Sequence, residues 1–472
     1  MKSLRLSVPT VGKLNSHSLL VVNASTLAPK TQSFHLLVPS LSDSAGCPYH
    51  EKISKQEEPV KPFDQVPGPK GLPFIGNALE IHRNASRIHP YFLSLCQKYG
   101  DVVKFTVLNE KFLILAHPES MYELAKKEES RTCIESFRYF KQTHGYELAP
   151  IEMYNHENWQ DVRQLFNVAM KPDLLERVTL PQLTELNSEY LKIVLNQLKP
   201  VEGKFLIPDA FLMSSRYAFL AVMKTFLGVK LLDEKHLPCS IAEFVEQSIN
   251  AINLGINLEL KLPLYRYFKT RQYYDFEEKL NFVMNRSKEC VALFQNNPNP
   301  EKPRLKEYIE QRAEGMERKE RQIEQVLASF ITGGVDITSK MIVTSIYRLA
   351  HHLDYQNKLY NECLEIFGEP TSEEYSSEHG LVVTTEQFKK LKLVKHFVDE
   401  VFRLNPFSYA PSRRLLSQDT VIKGYQIPKG TQVMLMGYTP GMKEDYVPQP
   451  QEFIPERHEK NSPLGVKSNY VT

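Results

Sequence analysis

A mainly helical fold with a small β part, an α+β class, is predicted from three observations. From about Asn158 to Tyr360 nearly every long segment carries apolar residues at helical spacing. Short runs of β character stand on both sides of that stretch. The chain has 472 residues, 42% hydrophobic and 24% charged, so it can bury a sizeable core and is not a disordered polymer.

Residues 1 to 42 contain Lys2, Arg5, Lys13 and Lys30, recurring serine and threonine, and no Asp or Glu. That is the composition of a mitochondrial transit peptide, which must move towards a negative matrix. Residues 1–60 are therefore predicted to be transit peptide and flexible leader, with an ordinary disordered tail as the plainer alternative, and residues 61–472 a single domain. No run of about 18 apolar residues occurs, which predicts no membrane-spanning helix. Val66-Pro67-Gly68-Pro69-Lys70-Gly71-Leu72-Pro73 is too rich in Pro and Gly for a helix or central strand and predicts a stiff turn into the domain.

Val102 to Val107 and Phe112 to Ala116 read as strands, and Pro118 to Lys127 as a helix. The helical array follows, broken at Pro172, Pro200, Pro208, Pro238, Pro263 and Asn297-Pro298-Asn299-Pro300. After Pro406 come β-like runs at Leu415-Leu416 and Thr420 to Ile422, a turn at Pro428-Lys429-Gly430 and a partner strand from Thr431 to Met436.

Composition narrows the function classes. Lys+Arg at 58 against Asp+Glu at 56 leaves a formal charge of +2, with no global basic excess for nucleic acid. Cys47, Cys96, Cys133, Cys239, Cys290 and Cys363 form no paired metal-ligand or redox spacing, which argues against a disulfide framework or zinc site and suits a reducing compartment. No phosphate-binding glycine loop is present, and His156-Glu157 lacks a zinc-protease partner because Gln160 stands where the second histidine would be.

The most informative segment runs from Arg321 to His352, about 32 residues that fit one helix of about 48 Å. Gly333 and Gly334 lie mid-way, each costing about 1 kcal/mol against alanine in a helix interior. Such a helix has its backbone approached by a ligand or by another helix; two shorter helices with a loop between them would read the same. Asp336 and Thr338 place an acid and a hydroxyl beside the thin spot, as proton delivery requires. Phe397 to Leu404 predicts a second helix, ended by Asn405-Pro406, with Glu400 and Arg403 on one face. Alone, that pair is a solvated surface ion pair, and Pro455-Glu456-Arg457 is as plain. Trp159 stands four residues before Arg163, so the two share a helical face and could offer an indole N–H and a guanidinium to one anion, or be a core tryptophan beside an exposed arginine.

The order of these features carries more than any one of them. A Trp-x-x-x-Arg, a Gly-Gly-x-Asp helix, a Glu-x-x-Arg helix, a β run and a Pro-Glu-Arg, after a Pro-Gly-Pro turn, resemble the cytochrome P450 family of haem-thiolate monooxygenases from about Pro67 onwards. Arg138-Tyr139-Phe140, Phe166 to Pro172 and Pro263-Leu264-Tyr265 through Thr270 are similar to the mitochondrial, ferredoxin-fed class.

The resemblance implies haem b, with Trp159, Arg163 and Arg413 holding its propionates. It implies that Gly333 and Gly334 thin the long helix over the haem and that Asp336 delivers protons. Ile337 stands where the family usually has Thr, and the hydroxyl comes one residue later at Thr338. Glu400, Arg403 and Arg457 match the family's buried charge network, with His458 in place of an aromatic residue. The family's metal ligand is a cysteine in a Phe-x-x-Gly-x-Arg-x-Cys-x-Gly loop after the Pro-Glu-Arg segment, and no such loop occurs before Thr472. The expectation is a P450 fold incomplete at the C-terminus, without its axial cysteine and inactive as written.

Three functions stay open: a monooxygenase hydroxylating a small lipophilic substrate, with sterol-like molecules among the candidates; a non-catalytic relative that keeps the fold without haem; and a P450-like isomerase of peroxides, hinted at by Ile337. The implied partners are an adrenodoxin-like ferredoxin with its NADPH-dependent reductase, docking on Lys389, Lys390, Lys392 and Lys395, and the matrix side of the inner mitochondrial membrane as a peripheral surface. Lys261, Tyr265, Arg266, Tyr267, Phe268, Lys269, Tyr273, Tyr274 and Phe276 mix aromatic and cationic side chains as an interfacial segment does, or form a buried aromatic cluster.

Overall fold

The computed structural model describes residues 59–108, 110–127, 135–144, 156–201, 204–207, 209–228, 237–259, 263–295, 304–316, 319–369, 383–406 and 412–465, with two short strands, Leu6–Ser7 (β1) and Leu20–Asn23 (β2). These two strands pair with the hairpin Lys199–Val201 (β5) and Lys204–Ile207 (β6) in the order β1-β2-β6-β5.

Helices dominate, as the spacing predicts. They are Ile88–Tyr99 (α1), Pro118–Lys126 (α2), Glu135–His144 (α3), His156–Ala169 (α4), Leu180–Gln197 (α5), Ala210–Leu227 (α6), Ile241–Glu259 (α7), Arg271–Gln295 (α8), Leu305–Arg312 (α9), Lys319–His351 (α10), Leu353–Phe367 (α11), Thr385–Lys390 (α12) and Lys392–Leu404 (α13). The long α10 is one uninterrupted helix of 33 residues, not two helices and a loop. It is the axis of the body: α6 and α8 pack along it, and α4, α7, α9, α11 and α13 also touch it. Its Phe330 stacks between Phe166 of α4 and Phe226 of α6, with ring centroids 4.4 and 4.1 Å away. α6 is apolar on most of its surface because it is buried on most sides. Asp209 caps its start, accepting from the Leu212 N–H at 2.8 Å, and Gly228 ends it in the left-handed region at φ 71°.

By length and composition alone, Gln322–His351 could cross a membrane, which corrects the expectation that no such segment exists. Its apolar face is accounted for by the packing just described, since most of it is buried inside the domain.

The two β parts predicted on either side of the helical array meet in one sheet. Val102–Val107 (β3) pairs antiparallel with Glu110–Leu115 (β4), β4 runs parallel to Gln432–Leu435 (β10), and β10 pairs antiparallel with Ser412–Leu415 (β7). Leu113, Val433 and Arg414 lie in register across three of these strands. The hairpin partner of Thr420–Ile422 (β8) differs from expectation. It is Tyr425–Ile427 (β9), not the strand after Pro428. The turn is Lys423-Gly424, both at positive φ (50° and 75°), the backbone that a two-residue hairpin requires. Lys-Gly carries that geometry only through its glycine, so the turn was hard to see in sequence.

The Pro-Gly-Pro segment lies against β3, where the Lys104 N–H donates to the Pro67 carbonyl at 2.9 Å. A Cβ on Gly68 would come within 2.0 Å of the Lys104 carbonyl oxygen. Gly68→Ala should therefore cost about 1–3 kcal/mol, read as a lower midpoint in urea with an unchanged slope. An unchanged midpoint would show that this segment does not seat on β3.

Candidate functional site

On α10 the two glycines do different things. An ideal Cβ on Gly334 would stand 2.9 Å from the Val222 Cγ2 of α6, so this glycine lets two helices approach closely. An ideal Cβ on Gly333 meets nothing within 4 Å, and the residue is exposed. Ile337, one turn on, is 40% exposed despite its apolar side chain. Gly333 and Ile337 thus belong to an exposed stripe of the helix that continues through Lys340 and Tyr347.

Asp336 flanks that stripe and is buried. Its Oδ2 accepts from the Lys340 ammonium at 2.6 Å, while its Oδ1 is buried with no hydrogen-bond partner among the described residues. The i, i+4 spacing of Asp336 and Lys340 is the sequence signal of this pair. Thr338 is half-buried. Five residues beyond Gly333, it is turned about 140° from it on the helix. The structure therefore brings Asp336 to the open face and leaves the Thr338 hydroxyl to one side.

Of the three residues expected round an anionic group, Arg413 is the one whose contacts the structure details. Trp159 belongs to α4, but its side chain lies outside the described residues. Arg163 is half-buried and already partnered. Arg413, on β7, donates from Nη1 to Glu259 Oε1 at 2.5 Å, and the other oxygen of Glu259 accepts from the Glu135 N–H at 2.8 Å. One carboxylate at the end of α7 thus joins the start of α3 to the sheet. Arg413 is shown to bind a carboxylate, though here it is the protein's own, because a guanidinium near the interior takes the nearest anion.

The residues present fit a haem on one side only. The open stretch of α10 suits a flat group, and Arg413 suits its carboxylates. Of the four cysteines among the described residues, three have thiols held protonated by burial, which pushes Cys96 and Cys363 up to about 11 and Cys290 up to about 12. Cys47 and Cys133 lie outside the described residues.

The second predicted site is assembled closely. Glu400, on α13, is fully buried. Arg403 donates from Nε and Nη2 to its two oxygens, both at 2.8 Å, and Arg457 donates from Nε at 3.0 Å. His458 Nε2 lies 2.9 Å from Oε2, and the Ile454 N–H donates to Oε1 at 2.9 Å. Burial alone would raise the Glu400 carboxyl, but the bonds from Arg403 and His458, the Arg403 charge and the Ile454 N–H overcome it and lower the pKa to about 2. His458, set aside in the sequence as a minor replacement, is a full member of this network. Its place directly after Arg457 in a 3₁₀ turn, Pro455–His458, was the available signal.

Two further carboxylates lock the surroundings. Glu456 accepts from the Tyr355 hydroxyl and, at 2.8 Å, from the Lys358 ammonium of α11. Glu362 of α11 accepts from the Leu393 and Val394 N–H groups at 2.7 and 2.9 Å, capping the start of α13.

The lysine stretch is exposed, but two of its four members are paired: Lys389 with Glu176 at 2.7 Å and Lys395 with Asp399 at 2.6 Å. Of the aromatic segment between α7 and α8, Tyr265, Tyr273 and Phe276 are buried together, whereas Tyr267, Phe268 and Tyr274 face outward. Arg266 pairs with Glu135 and Lys269 with Glu277, and Lys261 lies outside the described residues.

Comparison with known proteins gives one family. The cytochrome P450 family model matches residues 66–471. The chain is 27% identical over 442 residues to "Probable cytochrome P450 49a1" of Drosophila melanogaster, covering 87% of this chain and 72% of that protein. It is 23% identical over 462 residues to "Cytochrome P450 10" of Lymnaea stagnalis, covering 92% and 80%. It is also 23% identical over 409 residues to the mitochondrial cholesterol side-chain cleavage enzyme of Ovis aries, covering 84% and 76%.

The Glu400 geometry fixes a pH dependence. A carboxyl whose pKa is lowered on folding contributes stability above its unfolded value, near 4.3, and loses it as pH falls towards the folded value. Unfolding free energy should therefore drop by about 3 kcal/mol between pH 5 and pH 2 from this group alone. Glu400→Gln should remove that part of the slope in urea titrations across the range. An identical pH slope in the variant would place the acid-sensitive carboxylate elsewhere.

Proposed function

The chain belongs to the cytochrome P450 family, and on that premise we propose that it serves a haem-thiolate monooxygenase that hydroxylates a small lipophilic, sterol-like molecule. Electrons come from an adrenodoxin-like ferredoxin reduced by an NADPH-dependent reductase. The carrying observation is the open, side-chain-free stretch of α10 at Gly333, with the unpaired Asp336 Oδ1 beside it.

When bound, the haem supplies activation of dioxygen. This chain's own residues do the rest by position. Gly333 leaves room against the helix, Ile337 keeps that room apolar and poor in water, and Asp336 holds a proton-accepting oxygen in a buried place. Lys340, with a side chain 45% exposed, links Asp336 to solvent. Lys390 and Lys392 are exposed and carry the basic surface on which an acidic ferredoxin would dock. Tyr267, Phe268 and Tyr274 form an outward aromatic edge suited to the matrix face of the inner mitochondrial membrane. The names of the mitochondrial relatives support that compartment, and the sheep enzyme's name supports a sterol-like substrate.

A second reading, a non-catalytic relative, is favoured by the thiols of Cys96, Cys290 and Cys363, all held protonated by burial. One experiment separates the two. The protein is loaded with haem and given ferredoxin, reductase, NADPH and a panel of sterols. The monooxygenase reading predicts an oxygenated product whose rate falls about 10²–10⁴-fold in Asp336→Asn. Thiolate-ligated haem without product from any sterol would favour the non-catalytic relative.

A further inference from the structure

Cys239 and Cys290 are far apart in sequence, and nothing in their spacing suggests a pair. The fold brings them together. α7 ends at Glu259 and α8 begins at Arg271, and the two helices pack along each other with Gly255 of α7 against Phe276 of α8, so they form an antiparallel hairpin joined through residues 260–270. Eighteen residues back from Glu259 is Ile241, where α7 starts; eighteen residues forward from Arg271 is Glu289. With equal rise per residue these positions lie level at the open end of the hairpin. Cys239 stands just before the first and Cys290 just after the second.

Two more observations agree with that register. Leu237 and Pro238 line one surface cavity of about 460 Å³ together with Glu289, Ala292 and Leu293, so the neighbours of each cysteine share a single groove. Cys290 is 2% exposed within the main apolar cluster, and Cys239 packs against that cluster. Neither is in a disulfide, and Cys239 is only half-buried. Burial pushes the Cys290 thiol up, and the nearby Cys239 adds to the effect.

We propose that Cys239 and Cys290 are a redox-controlled clasp, closed by a disulfide oxidant such as glutathione disulfide, that ties the start of α7 to the end of α8. Cys239, the accessible thiol, loses its proton and attacks one sulfur of the oxidant, breaking that S–S bond and releasing one glutathione thiol. Cys290 then gives its proton to water and attacks the Cys239 sulfur, forming the internal S–S bond and releasing the second glutathione. Two protein thiols are oxidised and one disulfide is reduced to two thiols. The buried, protonated state of Cys290 makes the second step slow, which suits a response to sustained oxidation rather than to a transient. The clasp closes a hairpin whose other end carries the exposed Tyr267 and Phe268, and it stands whether or not the chain is a monooxygenase.

The test equilibrates the full chain in glutathione buffers of rising oxidised fraction, traps free thiols with N-ethylmaleimide and digests. Expected are the loss of two of the six alkylatable thiols, one cross-linked peptide pair carrying Cys239 and Cys290, and amide exchange about tenfold slower over 237–245. Cys239→Ser and Cys290→Ala should each abolish the cross-link. Cys239→Ser alters only a half-buried thiol and serves if Cys290→Ala does not fold. Six thiols still alkylatable, glutathione left on Cys239 alone, or a cross-link from either residue to another cysteine would overturn the proposal.

Discussion

The Glu400 carboxylate is the point at which the C-terminal part of the chain is fastened to the helical body. Arg403, Arg457, His458 and the Ile454 N–H converge on its two oxygens. The guanidiniums, held in place by that carboxylate, turn their remaining N–H groups to backbone carbonyls. Arg403 reaches Gly441, Pro450 and Glu452, and Arg457 reaches Pro448, Gln449 and Leu464. Those carbonyls belong to a stretch with little regular structure, which has few ladder bonds of its own and needs other donors to stay inside the protein. A buried ion pair is weak evidence for stability as such, because desolvation offsets much of the attraction. What it contributes here is alignment, since both guanidiniums meet one carboxylate while their other N–H groups reach backbone carbonyls.

The α10 helix plays the complementary part. It carries the packing of the body on most of its surface and leaves one stripe, which includes Gly333, Ile337, Lys340 and Tyr347, exposed. Within that stripe the glycine is where the proposed ligand would approach the backbone, and Asp336 is an acid beside it. The same helix passes a length-and-composition test for crossing a membrane, which shows how little such a test separates a core helix from a spanning one.

Much of this was legible in sequence because it is local. Helical spacing gave α10 almost to its ends, and Asp336 stood out beside two glycines that a helix interior tolerates poorly. The order of the Glu-x-x-Arg and Pro-Glu-Arg segments led, through resemblance, to Glu400, Arg403 and Arg457. What sequence did not carry was pairing at a distance. Arg413 meets Glu259 across 154 residues, and Tyr355 meets Glu456 across 101. His458 looked like a loss of an aromatic ring until a carboxylate oxygen was found beside it. The parallel pairing of β4 with β10 joins segments from opposite ends of the domain, and no local pattern encodes that neighbour. The Lys423-Gly424 turn was missed for another reason: its geometry rests on backbone freedom at one glycine rather than on a recognisable turn pair.

If Glu400 organises the C-terminal part, then its worth and that of Arg457 are not separable. The direct measurement is a double-mutant cycle of Glu400→Gln and Arg457→Met by urea unfolding at neutral pH. Each single change removes one partner from a buried charge network and should cost about 3–5 kcal/mol, and the double change should cost less than the sum of the two by about 1–3 kcal/mol. Additive losses within about 0.5 kcal/mol would mean that the two side chains act independently, and would contradict the account.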